Sequence, residues 1–203
     1  LSVAGQVQRR GNAWHGSLEQ LRIEPERGNH WTLQAPAAFT ASGPRFQLQP
    51  ACLATTGHGE GRLCAQADWP SKGLVVTSER LPLSLIEPWL PEQDGRALVT
   101  RGDVTLDANI RPQGNRWAGG VHLASPEGGL RLGNNARREI ARYDNFSFDL
   151  TFDPQKIQGR LGTGFQGNGY VDASFQTGWE PYSPLTGELY TYISQLFWLE
   201  LFS

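Results

Sequence analysis

Hydrophobic and polar residues alternate along most of the chain, most regularly between positions 142 and 176. Alternation with a period of two is typical of a β-strand that has one apolar face and one solvated face. Three consecutive antiparallel strands are therefore predicted here, with a turn at 153–156 between the first two. Their apolar side comprises Phe146, Phe148, Leu150, Phe152, Ile157, Leu161, Phe165, Val171 and Phe175.

The same pattern recurs at 63–69 and at 104–110, so nearly every strand is predicted to be one-sided. Between residues 18 and 23 the apolar parity shifts, and a β-bulge is expected there. The segments 80–91 and 192–203 have apolar residues at mixed spacing and predict short helical turns that cover an end of the sheet. No long amphipathic helix is present to cover the apolar face. The sheet must therefore close into a sandwich or barrel, or stay open as a trough that an apolar ligand fills.

A Gly-Asn pair followed by tryptophan occurs three times, as GNAWHG at 11–16, GNHW at 28–31 and GNRWAG at 114–119. Glycine and asparagine both tolerate the left-handed backbone of tight hairpins, and a following aromatic residue suits the start of a strand. These repeats predict hairpins. Stacking of a carbohydrate on Trp14, Trp31 or Trp117 is the functional alternative.

Composition narrows the possible classes of protein. The chain has 203 residues, 38% hydrophobic content and a formal net charge of -2, with no basic run that would suggest nucleic-acid binding. No apolar stretch reaches the length of a membrane span. The sequence lacks methionine and begins inside an alternating pattern, so we expect 1–203 to be one continuous segment of a longer protein, with a possible boundary near 80–95.

Two cysteines, Cys52 and Cys64, flank a loop between two short strand patterns. Their spacing suits a disulfide that closes a hairpin, which implies an oxidising compartment. A metal site is the competing interpretation, but His58 is the only histidine nearby, and these three ligands do not complete a structural zinc site.

Catalytic motifs are not apparent, and we expect neither an enzyme nor a bound metal or cofactor. The segment 162–167 matches G-x-G-x-x-G, but a strand follows it where a dinucleotide-binding fold needs a helix. The four histidines fall in no metal-binding spacing, and a G-x-S-x-G motif is absent.

Several segments of the first half resemble one family. These are WHGSLEQLRI at 14–23, WTLQAP at 31–36, the Cys52-Leu53 and Leu63-Cys64 pairs, Ala67-Asp68-Trp69 and LPLSLIEPWLP at 81–91. Their order and spacing resemble the translocation and assembly module family, TamB. The second half is less specific but looks like a continuation of the same repeats.

The resemblance implies a β-taco: an elongated, curved, mostly antiparallel sheet that forms a half-pipe with an apolar concave face. It implies a periplasmic segment of a protein anchored in the inner membrane of a Gram-negative bacterium, similar to AsmA-like and bridge-type lipid transfer proteins. Phospholipid and an outer-membrane protein of the TamA type are the implied partners, the latter reached through other parts of the full-length protein.

The sequence and the resemblance together give one main hypothesis. We expect the nine apolar residues from Phe146 to Phe175 to form the floor of a groove that carries acyl chains between the membranes and supports outer-membrane protein assembly. One alternative is a chaperone-like role, in which sheet edges pair with strands of a client protein. A carbohydrate-binding β-sandwich is the other.

Overall fold

The computed structural model describes residues 1–24, 29–56, 61–92, 95–133, 136–165, 169–180 and 182–192. These residues contain thirteen strands and one 3-10 helix. The strands are β1 (Ser2–Arg10), β2 (Ala13–Ile23), β3 (His30–Leu33), β4 (Ala37–Ser42), β5 (Arg45–Thr56), β6 (Arg62–Trp69), β7 (Gly73–Pro82), β8 (Leu98–Gln113), β9 (Arg116–Leu132), β10 (Ala141–Phe152), β11 (Ile157–Phe165), β12 (Gly169–Thr177) and β13 (Thr186–Tyr192). The 3-10 helix spans Leu83–Trp89, inside the segment for which a helical turn was predicted.

All the strands belong to one antiparallel sheet in which neighbours in sequence are neighbours in space. β3 and β4 share one position, because both lie between β2 and β5. Within the described residues β1 pairs only with β2 and β13 only with β12, so neither a barrel nor a second sheet is seen. The predicted class, an elongated all-β antiparallel sheet, is confirmed.

Strand connections alternate between two rims of the sheet. The connections β1–β2, β4–β5, β6–β7, β8–β9, β10–β11 and β12–β13 lie along one side, called here the hairpin rim. The β7–β8 and β9–β10 connections lie on the opposite side, the far rim. β7 and β8 pair directly across the predicted boundary near 80–95. The extent of the domain stays a prediction.

Two of the three Gly-Asn repeats form the predicted hairpins. Arg10 pairs with Ala13 and Gln113 with Arg116, which leaves two-residue turns at 11–12 and 114–115. Gly11 and Gly114 have φ of 61° and 63°, the left-handed backbone that the first position of a type II′ turn requires. In the remaining repeat, GNHW at 28–31, Gly28 and the preceding Arg27 lie outside the described residues.

The bulge predicted between residues 18 and 23 is present. Gly5 pairs with Leu18, whereas the adjacent Ala4 pairs with Gln20, so Glu19 is the extra residue of β2. Because one residue is skipped, Leu18 and Leu21 point to the same face although their positions differ in parity.

The sheet buries little of its apolar surface. The chain exposes 13674 Å², whereas a compact protein of its mass, 22.4 kDa, exposes about 9,400 Å². No large side chain among the described residues is completely buried, and the buried apolar residues are only Trp31, Ala37, Leu98, Ala118 and Leu132. The described part of the molecule therefore has no second layer over its apolar face.

Candidate functional site

Ten directly paired residues form a row across the sheet, called here the central row. Each member lies opposite the next on the neighbouring strand, and all but one are apolar. The row consists of Leu33, Leu53, Leu63, Ser78, Leu106, Leu123, Phe148, Leu161, Ala173 and Leu189. Nine interstrand spacings of about 4.8 Å give it a length of roughly 43 Å along the sheet.

Two further rows run beside the central row on its hairpin-rim side. The second row consists of Ala51, Ala65, Val76, Ala108, Val121, Leu150, Gly159, Phe175 and Gly187. The third consists of Val7, Gly16, Phe39, Leu48, Ala67, Leu74, Ile110, Gly119, Phe152, Ile157 and Thr177. The three rows form the main part of one face of the sheet, called here the apolar face. The members of the three rows carry no charge, and among them only Ser78 and Thr177 have polar side chains. Side chains on one face of a strand recur every second residue, so the rows present a largely apolar surface.

The nine residues predicted from the sequence all lie on this face and are half-buried. Six belong to the three rows. Phe146, Phe165 and Val171 lie on the far-rim side of the central row, opposite Ser125, Tyr143 and Thr163. That these residues hold lipid stays a prediction.

Sequence reasoning missed the first half of the face. Leu53, Leu63, Leu106 and Leu123 occupy the same row as Phe148, although the nine predicted residues all come from β10 to β12. Alternation marked two of these strands, but only the register shows that their apolar residues line up with β10.

Three glycines on the face lie beneath aromatic rings of paired residues. A Cβ atom at Gly16 would lie 2.3 Å from Cζ of Phe39, and one at Gly159 would lie 2.1 Å from Cε1 of Phe175. Gly128 has the same relation to Tyr143, whose hydroxyl would be 2.2 Å away. These rings lie flat over backbone rather than standing out from the sheet, which keeps the face smooth.

The opposite face of the sheet is polar and contains the predicted disulfide. Cys52 and Cys64 pair directly, with Cα atoms 4.0 Å apart and sulfurs 2.11 Å apart. Farther along the same row, Nδ1 of His122 lies 2.6 Å from Oδ1 of Asp149. His58, the third residue of the metal alternative, lies outside the described residues. Within the described ranges no group of three or more His, Cys, Asp or Glu residues is placed to hold a metal ion.

An ion-pair cluster lies at the far rim. Nε of Arg101 donates to Oε1 of Glu139 at 2.6 Å, and Arg142 also pairs with this carboxylate. The hydrogen bond from Arg101 lowers the pKa of Glu139, against the opposing effect of burial, and the same bond raises the pKa of Arg101. Nearby, burial raises the pKa of Tyr143, whose hydroxyl lies 2.7 Å from Oγ of Ser125. The carboxylates of Glu139 and Glu127 both pair with Arg101, which is typical of a structural ion-pair cluster.

No helix in the described part of the chain has the length and hydropathy needed to cross a bilayer.

The comparisons with known proteins give one family. The model of the N-terminal domain of TamB matches residues 1–199. No curated protein and no solved structure matches the chain.

Proposed function

The chain belongs to the TamB family, and we propose that its apolar face binds phospholipid acyl chains in a periplasmic groove. In this proposal the groove carries lipid between the inner and outer membranes as part of a protein anchored in the inner membrane. The transfer supports outer-membrane protein assembly together with a partner of the TamA type. The chain acts by binding alone and has no catalytic activity.

The central row is the observation that carries the proposal. It places nine apolar residues and one serine in direct succession over ten strands, with no second layer over them in the described part of the molecule. Removing apolar surface from water contributes about 25 cal/mol per Å², or roughly 0.8 kcal/mol per buried methylene. An acyl chain lying on the row gains several kcal/mol by this effect alone.

The lack of direction in this interaction suits transport. The hydrophobic effect does not depend on a fixed geometry, whereas hydrogen bonds do. A lipid that moves by one strand, about 4.8 Å, exchanges one set of leucine contacts for a similar set. The three rows therefore favour sliding along the sheet over retention at a single position.

Phe148→Asp tests the proposal. Phe148 lies in the central row and is half-buried, so a carboxylate there charges the floor without displacing a completely buried side chain. The matched control is Thr151→Asp, which adds the same charge to the same strand on the opposite face. After incubation with phospholipid vesicles, bound phospholipid per protein is measured by solvent extraction and mass spectrometry, and folding by circular dichroism.

The expected result is that wild type and Thr151→Asp retain lipid and that Phe148→Asp loses it while keeping its β-sheet spectrum. Equal retention by Phe148→Asp and wild type would show that the floor is elsewhere. If even the wild-type protein binds no phospholipid, the proposal is wrong.

The edge strands favour a second candidate function, pairing with strands of a client protein. Every residue of β13 is exposed, including Leu189, Tyr190 and Tyr192, and β1 is exposed throughout. Exposed edges present unpaired backbone donors and acceptors to another chain. A photo-crosslinker at Tyr190 should then capture outer-membrane protein strands, and one at Thr151, away from either edge, should not. Equal capture at both positions would contradict edge pairing.

A further inference from the structure

The two rims of the sheet differ in charge. Beyond the third row, the hairpin rim contains seven Lys or Arg residues and three Asp or Glu residues, whereas the rest of the sequence contains eleven basic and seventeen acidic residues. The basic residues are Arg9, Arg10, Arg45, Lys72, Arg111, Arg116 and Lys156, and the acidic residues are Asp68, Asp153 and Glu180. A chain with a formal net charge of -2 thus has one net positive rim.

Most cations of the hairpin rim are not neutralised by protein. In the part of the chain that the structure describes, Arg45, Lys72, Arg111 and Lys156 make no ion pair. Arg116 is the exception, because it pairs with Glu180 and donates to the carbonyl of Pro154 at 3.0 Å.

Several far-rim arginines, in contrast, are already paired with carboxylates. Arg101 and Arg142 both bind Glu139, Arg80 lies 3.4 Å from Asp103, and Arg22 lies 2.5 Å from Glu24. An anion that approached these arginines would have to displace a carboxylate or share its partner. The hairpin rim offers cations without that competition.

A row of aromatic residues separates the apolar face from these cations. Trp14 lies opposite Arg9 and Ala41, and Phe46 lies opposite Trp69. The rings of Trp69 and Trp117 are 5.3 Å apart between centroids. By register these rings lie on the same face as the third row, and Trp14 and Trp117 are 46% and 44% exposed.

The aromatic row continues at the end of β10. The ring of Trp179 packs edge-on against Phe152 at 6.0 Å, and its Nε1 donates to the carbonyl of Asp153 at 2.6 Å. Tryptophan combines a large apolar ring with one polar N–H, so it is favoured where hydrocarbon meets water and lipid headgroups.

We propose that phospholipids on the apolar face point their phosphate headgroups over the hairpin rim, where unpaired lysines and arginines bind the phosphate. This inference rests on the proposed function. Acyl chains cover the three rows, the aromatic row meets the glycerol region, and the headgroup reaches the rim itself. Arg9 lies on the lipid side of the rim, Lys72 and Lys156 lie in its turns, and Arg45 and Arg111 project from the polar face behind it. Lysine and arginine are the side chains that best bind a phosphate anion. The guanidinium of Arg9 lies 5.7 Å from the ring centroid of Trp14, so Arg9 links the aromatic row to the cations of the hairpin rim.

Fluorescence quenching tests the orientation of the lipid. Trp117 marks the hairpin rim, and Trp31, two residues from Leu33 of the central row on the far-rim side, marks the other side. The probes are phosphatidylcholine with a nitroxide on its headgroup and phosphatidylcholine with a nitroxide near the end of an acyl chain. The contribution of each tryptophan is obtained by subtracting the emission of Trp117→Phe or Trp31→Phe. Because Trp31 is buried and Trp117 is exposed, the readout is the ratio of headgroup to acyl quenching for each tryptophan. This ratio should be several-fold higher for Trp117 than for Trp31.

A charge-removal experiment tests the cations without altering a tryptophan. Arg9→Gln/Lys72→Gln removes two exposed charges from the hairpin rim that make no ion pair among the described residues, and the matched control Arg137→Gln/Arg138→Gln removes two exposed charges from the far rim. Binding of dioleoylphosphatidylglycerol should weaken about tenfold in the first variant and stay unchanged in the control. Binding of dioleoylglycerol, which has no phosphate, should be unchanged in both. Inorganic phosphate at millimolar concentration should not displace the lipid, because the acyl chains supply most of the affinity.

The outcomes separate this inference from the function on which it rests. A headgroup-to-acyl quenching ratio that is equal for the two tryptophans or higher for Trp31, or equal losses in both charge variants, would overturn the assigned orientation while leaving acyl binding intact. Displacement by inorganic phosphate would indicate a site for the free anion and overturn the inference. Failure of both probes and of dioleoylglycerol to bind would overturn the proposed function, and the orientation with it.

Discussion

The ring of Phe175 on β12 lies directly over the backbone of Gly159 on β11. The two residues pair, and a Cβ atom at Gly159 would lie 2.1 Å from Cε1 of the ring. The absence of a side chain at one position is therefore what lets the aromatic side chain at the other lie flat. Phe175 covers the glycine, and its outer surface becomes part of the apolar face.

Gly159→Ala should force the Phe175 ring away from the sheet. Overpacking of this kind costs about 1–3 kcal/mol, and the displaced ring would also project from the apolar face. We expect a lower urea midpoint and weaker retention of acyl chains. Gly162→Ala is the matched control on the same strand, because its new Cβ would be 3.4 Å from the nearest atom, Oγ of Ser147. Equal destabilisation by both substitutions would show that a side chain at either position of this strand is unfavourable, and that the Phe175 ring is not the cause.

The disulfide should stabilise the sheet from its polar side. Cys52 and Cys64 are separated by 12 positions, and closing a loop of this size contributes about 3 kcal/mol in the chain-entropy model. Reduction should therefore lower the free energy of unfolding by about 2–3 kcal/mol, measured by urea denaturation with and without reductant. Cys52→Ala/Cys64→Ala should match the reduced protein and be insensitive to reductant. A stability that reductant does not change in wild type would contradict this role.

Much of the face could be predicted from sequence because alternation is a local property of a strand. The parity of Phe148 and Leu150 assigns them to one side without knowledge of any neighbour. The broken parity between Leu18 and Leu21 even predicted the bulge, since both residues are apolar and only an extra residue lets them share a face.

The rest depended on pairing between strands, which alternation does not encode. Leu63 and Leu123 lie in one row only because each intervening hairpin has its particular length and register. The separation of the rims is also a property of the strand order, because Arg45 and Lys72 lie on the same side only when the connections alternate. That Arg45 and Lys72 make no ion pair among the described residues could be seen only from the positions of the side chains.

Ser78→Ala should stabilise the protein. Ser78 is the one polar member of the central row, is 6% exposed, and its Oγ has no hydrogen-bond partner in the described part of the structure. Burial of an unpaired hydroxyl is unfavourable, so alanine should raise the free energy of unfolding by about 1 kcal/mol. Ser125→Ala should do the opposite and cost about 1 kcal/mol, because its Oγ donates to the carbonyl of Asp103 at 2.6 Å. Destabilisation by both substitutions would mean that the Ser78 hydroxyl has a partner in solution.

Glu139 should make stability depend on pH in the acidic range. Its side chain is 7% exposed, and the hydrogen bond from Arg101 lowers its pKa. A carboxyl group whose pKa is lower in the folded state stabilises the fold fully above its ordinary pKa, about 4.5, and this contribution disappears as the pH falls through the folded pKa. Glu139→Gln should therefore lower the free energy of unfolding by about 1–2 kcal/mol at pH 7, because it replaces a charge-assisted hydrogen bond with a neutral one. The difference between variant and wild type should narrow below about pH 4.5.

Urea denaturation at pH 7 and pH 3 measures this difference in the free energy of unfolding, with Glu127→Gln as the control. Glu127 binds the same arginine at 3.1 Å but is mostly exposed, so solvent screens that pair and its loss should have little effect at either pH. A gap between Glu139→Gln and wild type that stays constant down to pH 3 would assign the effect to packing of the side chain and not to its charge.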